Sequence, residues 1–125
     1  MLNPNKGYKK IVQKLKQRYK CEINKAEISL KKLKECHMLL LGGPRLPFNA
    51  QELQDIRRYI EEGGRVVIMM AEGGETKLNT NINAMLEQIG ISVNSDSVIR
   101  KTFHKYLHPK EAFIGNGCLS EELVK

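Results

Sequence analysis

The sequence has no long apolar run and few cysteines, and both shortages narrow the classes of protein to which it can belong. No stretch approaches the roughly 18 consecutive apolar residues of a membrane-spanning helix, so we expect no membrane insertion. Residues 1–4 contain no apolar segment of a secretory signal. Cys21, Cys36 and Cys118 are odd in number and form no CxxC motif, which indicates reduced thiols in an intracellular protein.

Motifs of nucleotide binding and of nucleophilic catalysis are also missing. The chain contains neither a GxGxxG fingerprint nor a GxxxxGK[ST] phosphate-binding loop. The turn Met70–Gly74 follows a predicted strand, where a nucleophile elbow would carry its serine, but no Ser or Cys stands at its apex. No module of nucleic-acid recognition is visible either. We therefore expect no enzyme activity, no cofactor and no nucleic-acid ligand.

The charge that is present lies at one end of the chain. The 125 residues are enough for one domain with one core, and they are 41% hydrophobic and 28% charged. Residues 1–34 carry a net charge of +9 and residues 35–125 a net charge of −2. This excess favours an acidic partner or simple solubility.

Residues 65–90 contain the clearest structural pattern of the chain. Val66–Met70 is a short apolar run typical of a strand in a parallel sheet covered on both faces. Two glycines then predict a turn, and Thr80 or Asn81 can cap the helix that follows. That helix has an apolar stripe, Ile82, Met85, Leu86 and Ile89, and Gly90 stands where it should end. Strand, loop and helix make half of a βαβ unit.

Further helices and strands alternate through the rest of the chain. The pattern predicts a helix at 7–19 with an apolar stripe that places Tyr8 and Tyr19 in the core, and a helix at 50–62. Ser29 is expected to cap one or two helical turns. Strands are predicted at 37–41 and, as shorter pieces, at 20–23, 91–93 and 112–114, with Ser120 capping a final helical stub. This order predicts an α/β fold with a three-layer, mostly parallel, flavodoxin-like sheet.

Two glycine loops are candidate contact sites, because ligands of open parallel sheets bind beyond the carboxyl ends of the strands. The loops could contact a ligand or a partner, or they could serve only as tight turns, with at least one of Gly73 and Gly74 at positive φ. Arg45 would favour an anion, whereas Glu72 and Glu75 would repel one. Their residues are Gly42, Gly43, Pro44 and Arg45 in the first loop, and Glu72, Gly73, Gly74 and Glu75 in the second.

The N-terminal helix is the other candidate, since its lysines Lys9, Lys10, Lys14 and Lys16 lie away from the apolar stripe. They could bind an acidic partner, bind phosphates, or form a solvated face. His104 and His108 have the i, i+4 spacing of two zinc ligands, but Pro109 follows and no third ligand completes the set. We expect no metal site there.

Three segments resemble a known family. AEGGETKLNTNIN, SVNSDSVIR and FHKYLHPKEA are similar to the GIFT domain at the N-terminus of the fifty-two-kilodalton subunit of intraflagellar transport complex B. The first glycine loop and Gly7-Tyr8-Lys9 fit the same pattern. The resemblance implies a non-catalytic scaffold domain that binds other complex B subunits, without an obligatory small molecule. Its expected locations are the cilium or flagellum, the basal body and the cytoplasm.

The fold of the family is related to class I amidotransferase-like and sugar-binding domains. A small-ligand or sugar-binding domain is therefore the alternative function, and a basic phosphate-binding module is a third. Family members carry an apolar strand before the helix that begins here at Gly7, whereas this chain has only residues 1–6 in that place. We expect a single GIFT-like domain over 1–125 that is truncated at both ends, lacks its first strand and self-associates through the open edge.

Overall fold

The computed structural model describes residues 7–102 and 108–111, and its contacts group into two compact units, 1–95 and 96–125. Within the described residues, no helix has both the length and the apolar character needed to span a membrane. Two predictions fall outside the described residues, the strand at 112–114 and the cap at Ser120, as does His104, one of the two histidines at which no metal site is expected.

The first unit contains short helices around a two-stranded parallel sheet. Leu39 pairs with Val66 and Leu41 with Ile68. This arrangement confirms the predicted α/β class with a parallel sheet. In chain order the elements are α1 Lys9–Lys16, α2 Leu30–Lys34, β1 Met38–Gly42, α3 Ala50–Glu61, β2 Arg65–Met69, α4 Gly74–Leu78, α5 Asn83–Leu86 and a 3₁₀ turn Glu87–Ile89.

Helix α3 begins at a capping box and ends at a glycine. The Asn49 side chain accepts the Glu52 amide at 2.8 Å, and the Glu52 carboxylate accepts the Asn49 amide at 3.0 Å, so two of the free amides of the first turn are satisfied. After the last turn, Gly63 has a φ of +91°, a conformation in which other residues are strained. The predicted helix at 50–62 is confirmed to within one residue.

The core lies between α3, α5 and one face of the sheet. Ile56 on α3 and Ile82 before α5 are fully buried. Burial of each side chain stabilises the folded state by about 1.5–3 kcal/mol relative to leaving it in water. Strand residues Leu39, Leu41, Val66 and Ile68 pack on this side, and the buried members of the core are Leu33, Leu41, Ile56, Tyr59, Ile82, Met85 and Leu86.

Carboxylates of α3 hold the segment that enters α2. The second oxygen of Glu52 accepts the Ile28 amide at 3.0 Å, and Asp55 accepts the Leu30 amide at 2.9 Å. Ser29 stands at the N-cap position, as predicted, but its side chain makes no capping bond. The amides at the start of α2 are therefore satisfied by a neighbouring helix instead of by a local cap.

Two of the short predicted strands do not form. Lys20 and Glu22 pair with each other at 2.8 Å and are largely exposed, and Ile23 is 48% exposed, so little apolar burial favours a strand at 20–23. The amide and the carbonyl of Val93 both bond to the Asn83 side chain. Neither backbone group of Val93 is therefore available for pairing with a neighbouring strand.

Three further predictions from the sequence are wrong: the burial of two side chains and the position of a loop. Tyr19 is 65% exposed, although the stripe of the first helix predicts it in the core. Ile89 is 38% exposed, so the stripe that begins at Ile82 is buried only as far as Leu86. Helix α4 lies where a loop is predicted, because Gly74 opens a helical turn in the left-handed region that only glycine adopts readily.

We expect Asn49→Ala to lower the free energy of unfolding by about 1 kcal/mol, because it removes the capping box of the helix on which the core packs. Urea denaturation measures the change. Gln54→Ala is the matched control, since Gln54 is exposed within the same helix, and it should stay within about 0.5 kcal/mol of the parent. Equal effects of the two variants would contradict a capping role.

Candidate interaction site

The first glycine loop continues β1 and is closely packed. The Gly43 amide donates to the Met69 carbonyl at 2.8 Å, which extends the contact with β2 by one bond. Gly43 has a φ of +59°. A Cβ added at Gly42 would lie 2.7 Å from the Tyr8 ring, so the absence of a side chain lets the start of α1 approach the strand.

The second glycine loop follows β2 and turns directly into α4. Gly73 and Gly74 both have positive φ, +80° and +50°, as predicted. A Cβ added at Gly74 would lie 2.4 Å from the Asn94 carbonyl oxygen. Close approach of another backbone therefore requires glycine here, in addition to the turn itself.

The charged residues of the two loops differ in their surroundings. The Glu75 carboxylate accepts the Asn83 amide at 2.5 Å, and Glu72 forms a 2.8 Å ion pair with Lys77. Both acids of the second loop thus have partners within the protein. Arg45 of the first loop is exposed and makes no hydrogen bond or ion pair with the described residues. Leu46 beside it is 75% exposed, so the first loop presents a cation and an apolar side chain to solvent.

Two asparagines, which the sequence did not identify as structural clamps, hold the loops in place. The Asn81 side chain accepts the Phe48 amide at 2.7 Å and donates to the Phe48 carbonyl at 2.9 Å. The Asn83 side chain makes the same pair of bonds to Val93, both at 2.9 Å. The prediction that Thr80 or Asn81 caps the following helix is wrong. The N-cap residue of α5 is Ile82, without a side-chain capping bond, the Thr80 hydroxyl donates to the Leu46 carbonyl, and the Asn81 side chain is bonded to Phe48. A side-chain amide reproduces the donor and acceptor of a peptide group, which is why asparagine suits this place.

Helix α1 lies beside the first loop and has an exposed positive surface. Tyr8 at its start is half-buried against Gly42. None of the α1 residues is fully buried, and Ile11 is 43% exposed. The four candidate lysines are all exposed and form no ion pair with the described residues: Lys9, Lys10, Lys14 and Lys16.

A cavity of about 320 Å³ lies at the opposite, amino-terminal end of the strands, away from both glycine loops. Cys36, Tyr59 and Glu62 are among its lining residues. A hydrogen bond from Lys34 lowers the pKa of the Glu62 carboxyl below its ordinary value. The stabilisation of the folded protein by the Lys34–Glu62 pair is therefore fully present above the ordinary carboxyl pKa. It is lost as the pH falls through the lowered pKa of Glu62. The described residues contain no cluster of three metal-ligating side chains here or elsewhere.

The second unit is described over residues 96–102 and 108–111. Arg100 donates from its amide to the Pro109 carbonyl at 2.9 Å and from its side chain to the His108 carbonyl at 3.0 Å. His108 accepts the Lys110 amide at Nδ1. Its imidazole is thus bonded to the local backbone.

We expect Gly74→Ala to destabilise the protein more than Gly63→Ala, by about 1–3 kcal/mol. Both glycines have positive φ, and the backbone strain at Gly63 (+91°) is no smaller than at Gly74 (+50°). However, a methyl group at Gly63 meets open space whereas one at Gly74 meets Asn94. Urea denaturation of the two variants measures the difference. Equal destabilisation would show that the backbone angle alone requires glycine at Gly74.

We expect Asn83→Ala to cost about 2 kcal/mol, because two hydrogen bonds of about 1 kcal/mol each are lost. The Val93 amide should also exchange its hydrogen faster, as NMR can measure. Asn94→Ala is the matched control, since the Asn94 side chain is exposed. Unchanged protection at Val93 in Asn83→Ala would refute the clamp.

Comparison with known proteins agrees with the resemblance found in the sequence. The family model of the IFT52 GIFT domain matches residues 1–125. The human intraflagellar transport protein 52 homolog is 43% identical over 121 residues, which are 97% of this chain and 28% of the human protein. The mouse homolog is 40% identical over the same length and share. The chain thus spans little more than a quarter of these relatives.

A solved structure agrees with both relatives. The mmIFT52 N-terminal domain superposes with a TM-score of 0.78 at 40% sequence identity, over 86% of this chain and 47% of that one. Sequence and fold therefore lead to the same assignment. This chain belongs to the IFT52 GIFT domain family.

Proposed function

We propose that this chain is a non-catalytic interaction domain of an intraflagellar transport complex B subunit, which acts in cilium assembly and maintenance by binding other subunits. It would work in the cilium or flagellum, at the basal body and in the cytoplasm, and it would need no cofactor or metal. Its relatives carry intraflagellar transport in their names, and the chain corresponds to about a quarter of their length.

The free lysines of α1 are the observation that carries this proposal. Residues 7–20 contain no acidic residue, and Lys9 and Lys14 have no carboxylate partner among the described residues. Because Tyr8 packs on Gly42, the same helix lies beside the first loop with its exposed Arg45 and Leu46. Cations around an apolar side chain suit recognition of an acidic protein surface.

The second loop supports a role without catalysis. The turn from Ala71 to Gly74 joins strand and helix without a Ser or Cys, so it lacks the hydroxyl or thiol with which a nucleophile elbow attacks a carbonyl group. Glu75 is held by the Asn83 amide and Glu72 is paired with Lys77. Neither carboxylate is poised to take a proton from a substrate.

Packing weighs against the alternative of a small-ligand or sugar-binding domain at the glycine loops. The Asn94 backbone fills the space above Gly74, and the Tyr8 ring fills the space above Gly42. The described cavity lies at the other end of the sheet. Phosphate binding has only the charge of α1 in its favour.

We expect Lys9→Glu/Lys14→Glu to slow association with complex B subunits several-fold and to flatten its salt dependence, while dissociation changes little. Surface plasmon resonance at several salt concentrations measures the rates. Lys31→Glu/Lys32→Glu is the matched control, because it changes the net charge equally at exposed residues of α2.

If the two double variants slow association equally, net charge and not the α1 surface is responsible. If neither variant alters the rate, the α1 lysines have no part in binding. Loss of folding is separated from loss of binding by the melting curve, which should not change because all four lysines are exposed.

A further inference from the structure

The two helices that follow the second glycine loop are too short to be stable by themselves. Helix α4 has five residues and α5 has four, whereas isolated helices shorter than about 12–15 residues are marginal in water. Neither helix has a side-chain capping bond at its N-terminus. Their conformation therefore depends on contacts with residues elsewhere in the chain.

The connection between these helices binds the carboxyl side of the first glycine loop. The Asn81 side chain bonds to the amide of Phe48 at 2.7 Å and to its carbonyl at 2.9 Å. The Thr80 hydroxyl donates to the Leu46 carbonyl at 3.4 Å. Residues 46–48 are thus held by the connection between α4 and α5.

Residues 93–95 are held by the same two helices. The Asn83 side chain bonds to both backbone groups of Val93, each at 2.9 Å. The backbone of the next residue, Asn94, packs directly on Gly74 at the start of α4. Both helices therefore contact this segment, one after the other along its length.

Helices α4 and α5 are also joined to each other. The Glu75 carboxylate on α4 accepts the Asn83 amide at 2.5 Å, and the Glu75 carbonyl accepts the Thr80 amide at 3.3 Å. Ile82 and Met85 are fully buried in the same core cluster. Separation of one helix from the core would therefore disturb the bonds made by the other.

We propose that residues 46–48, 74–89 and 93–95 open and close together as one cooperative group, which we call the loop-anchoring cluster. Native proteins open locally in cooperative groups of this kind. In the open state the Asn81 and Asn83 bonds are both lost, while α2, α3 and the sheet stay folded.

The loop-anchoring cluster makes the order of one segment depend on the order of the other. Binding that requires the closed conformation at 46–48 stabilises 93–95 as well, and the effect is reciprocal. Residue 95 is the last of the first compact unit, so opening also releases the residues that lead into the second. A partner at the first glycine loop would therefore fix the residues from which 96–125 continue.

Amide hydrogen exchange measured by NMR tests this inference, under conditions in which the rate reports the opening equilibrium. In the unsubstituted chain, the Phe48 and Val93 amides should show one opening equilibrium with one urea dependence. The amide of Ile56, in the middle of α3, should open at least tenfold more rarely. Its urea dependence should be steeper, because global unfolding exposes more surface. Unequal urea dependences at Phe48 and Val93, or equal ones at all three amides, would overturn the proposal.

Two substitutions test the coupling from both sides. Asn81→Ala should speed exchange of the Val93 amide at least fivefold, although the bonds of Val93 to Asn83 are not touched. Asn83→Ala should do the same to the Phe48 amide, whose own bonds are to Asn81. If each variant speeds exchange only at the residue that lost its bonds, the two contacts are independent and the cluster does not exist.

Tyr59→Phe is the matched control, because it removes a hydrogen bond outside the cluster, from the Tyr59 hydroxyl to the Cys36 carbonyl at 3.0 Å. It should speed exchange at Ile56 and leave Phe48 and Val93 within twofold of the parent. Equal acceleration at all three amides would show that opening is global and would contradict the proposal. No partner takes part in these measurements, so their outcome is independent of the proposed function.

Discussion

Two parallel strands can be joined only by a crossover that returns the chain to the same end of the sheet, and here α3 is that crossover. The structure depends on this constraint. Because α3 lies on one face, Ile56 and Tyr59 are buried there and the core gathers around them. On the other face, the Tyr8 ring at the start of α1 contacts Gly42. The side of the sheet on which the core forms thus follows from a single connection.

Polar groups of the same helix order the segments around it. One oxygen of Glu52 closes the capping box while the other holds the Ile28 amide. The Tyr59 hydroxyl donates to the Cys36 carbonyl at 3.0 Å, just before β1. One helix thus supplies apolar packing on one side, and carboxylate acceptors and a hydroxyl donor on another. Farther along the chain, the side chains of Asn81 and Asn83 make the corresponding bonds, to Phe48 and to Val93.

The sequence predicted those parts of the fold whose cause is local. Apolar runs located β1 and β2, and the apolar stripe through Ile56 located α3. Positive φ at Gly73 and Gly74 followed from the turn between strand and helix. The rest depends on contacts between distant residues. Nothing near Asn83 shows that its amide meets Val93, and nothing near Tyr19 shows that no core surface reaches it. The lysines of α1 were visible as candidates, but the absence of ion pairs to the described residues was not.

The position of α3 has a further consequence, for the order in which the chain folds. Its partners are near in sequence: Ile28 is 24 residues from Glu52, Cys36 is 23 from Tyr59, and the Asn81–Phe48 bonds span 33. Closing loops of this length costs less entropy than closing the longer loops that more distant contacts would need. The helix and its two strands can therefore assemble as one nucleus, before the asparagine bonds close the loops around it. A ribosome would have released everything that this nucleus needs once about half of the chain had left its tunnel.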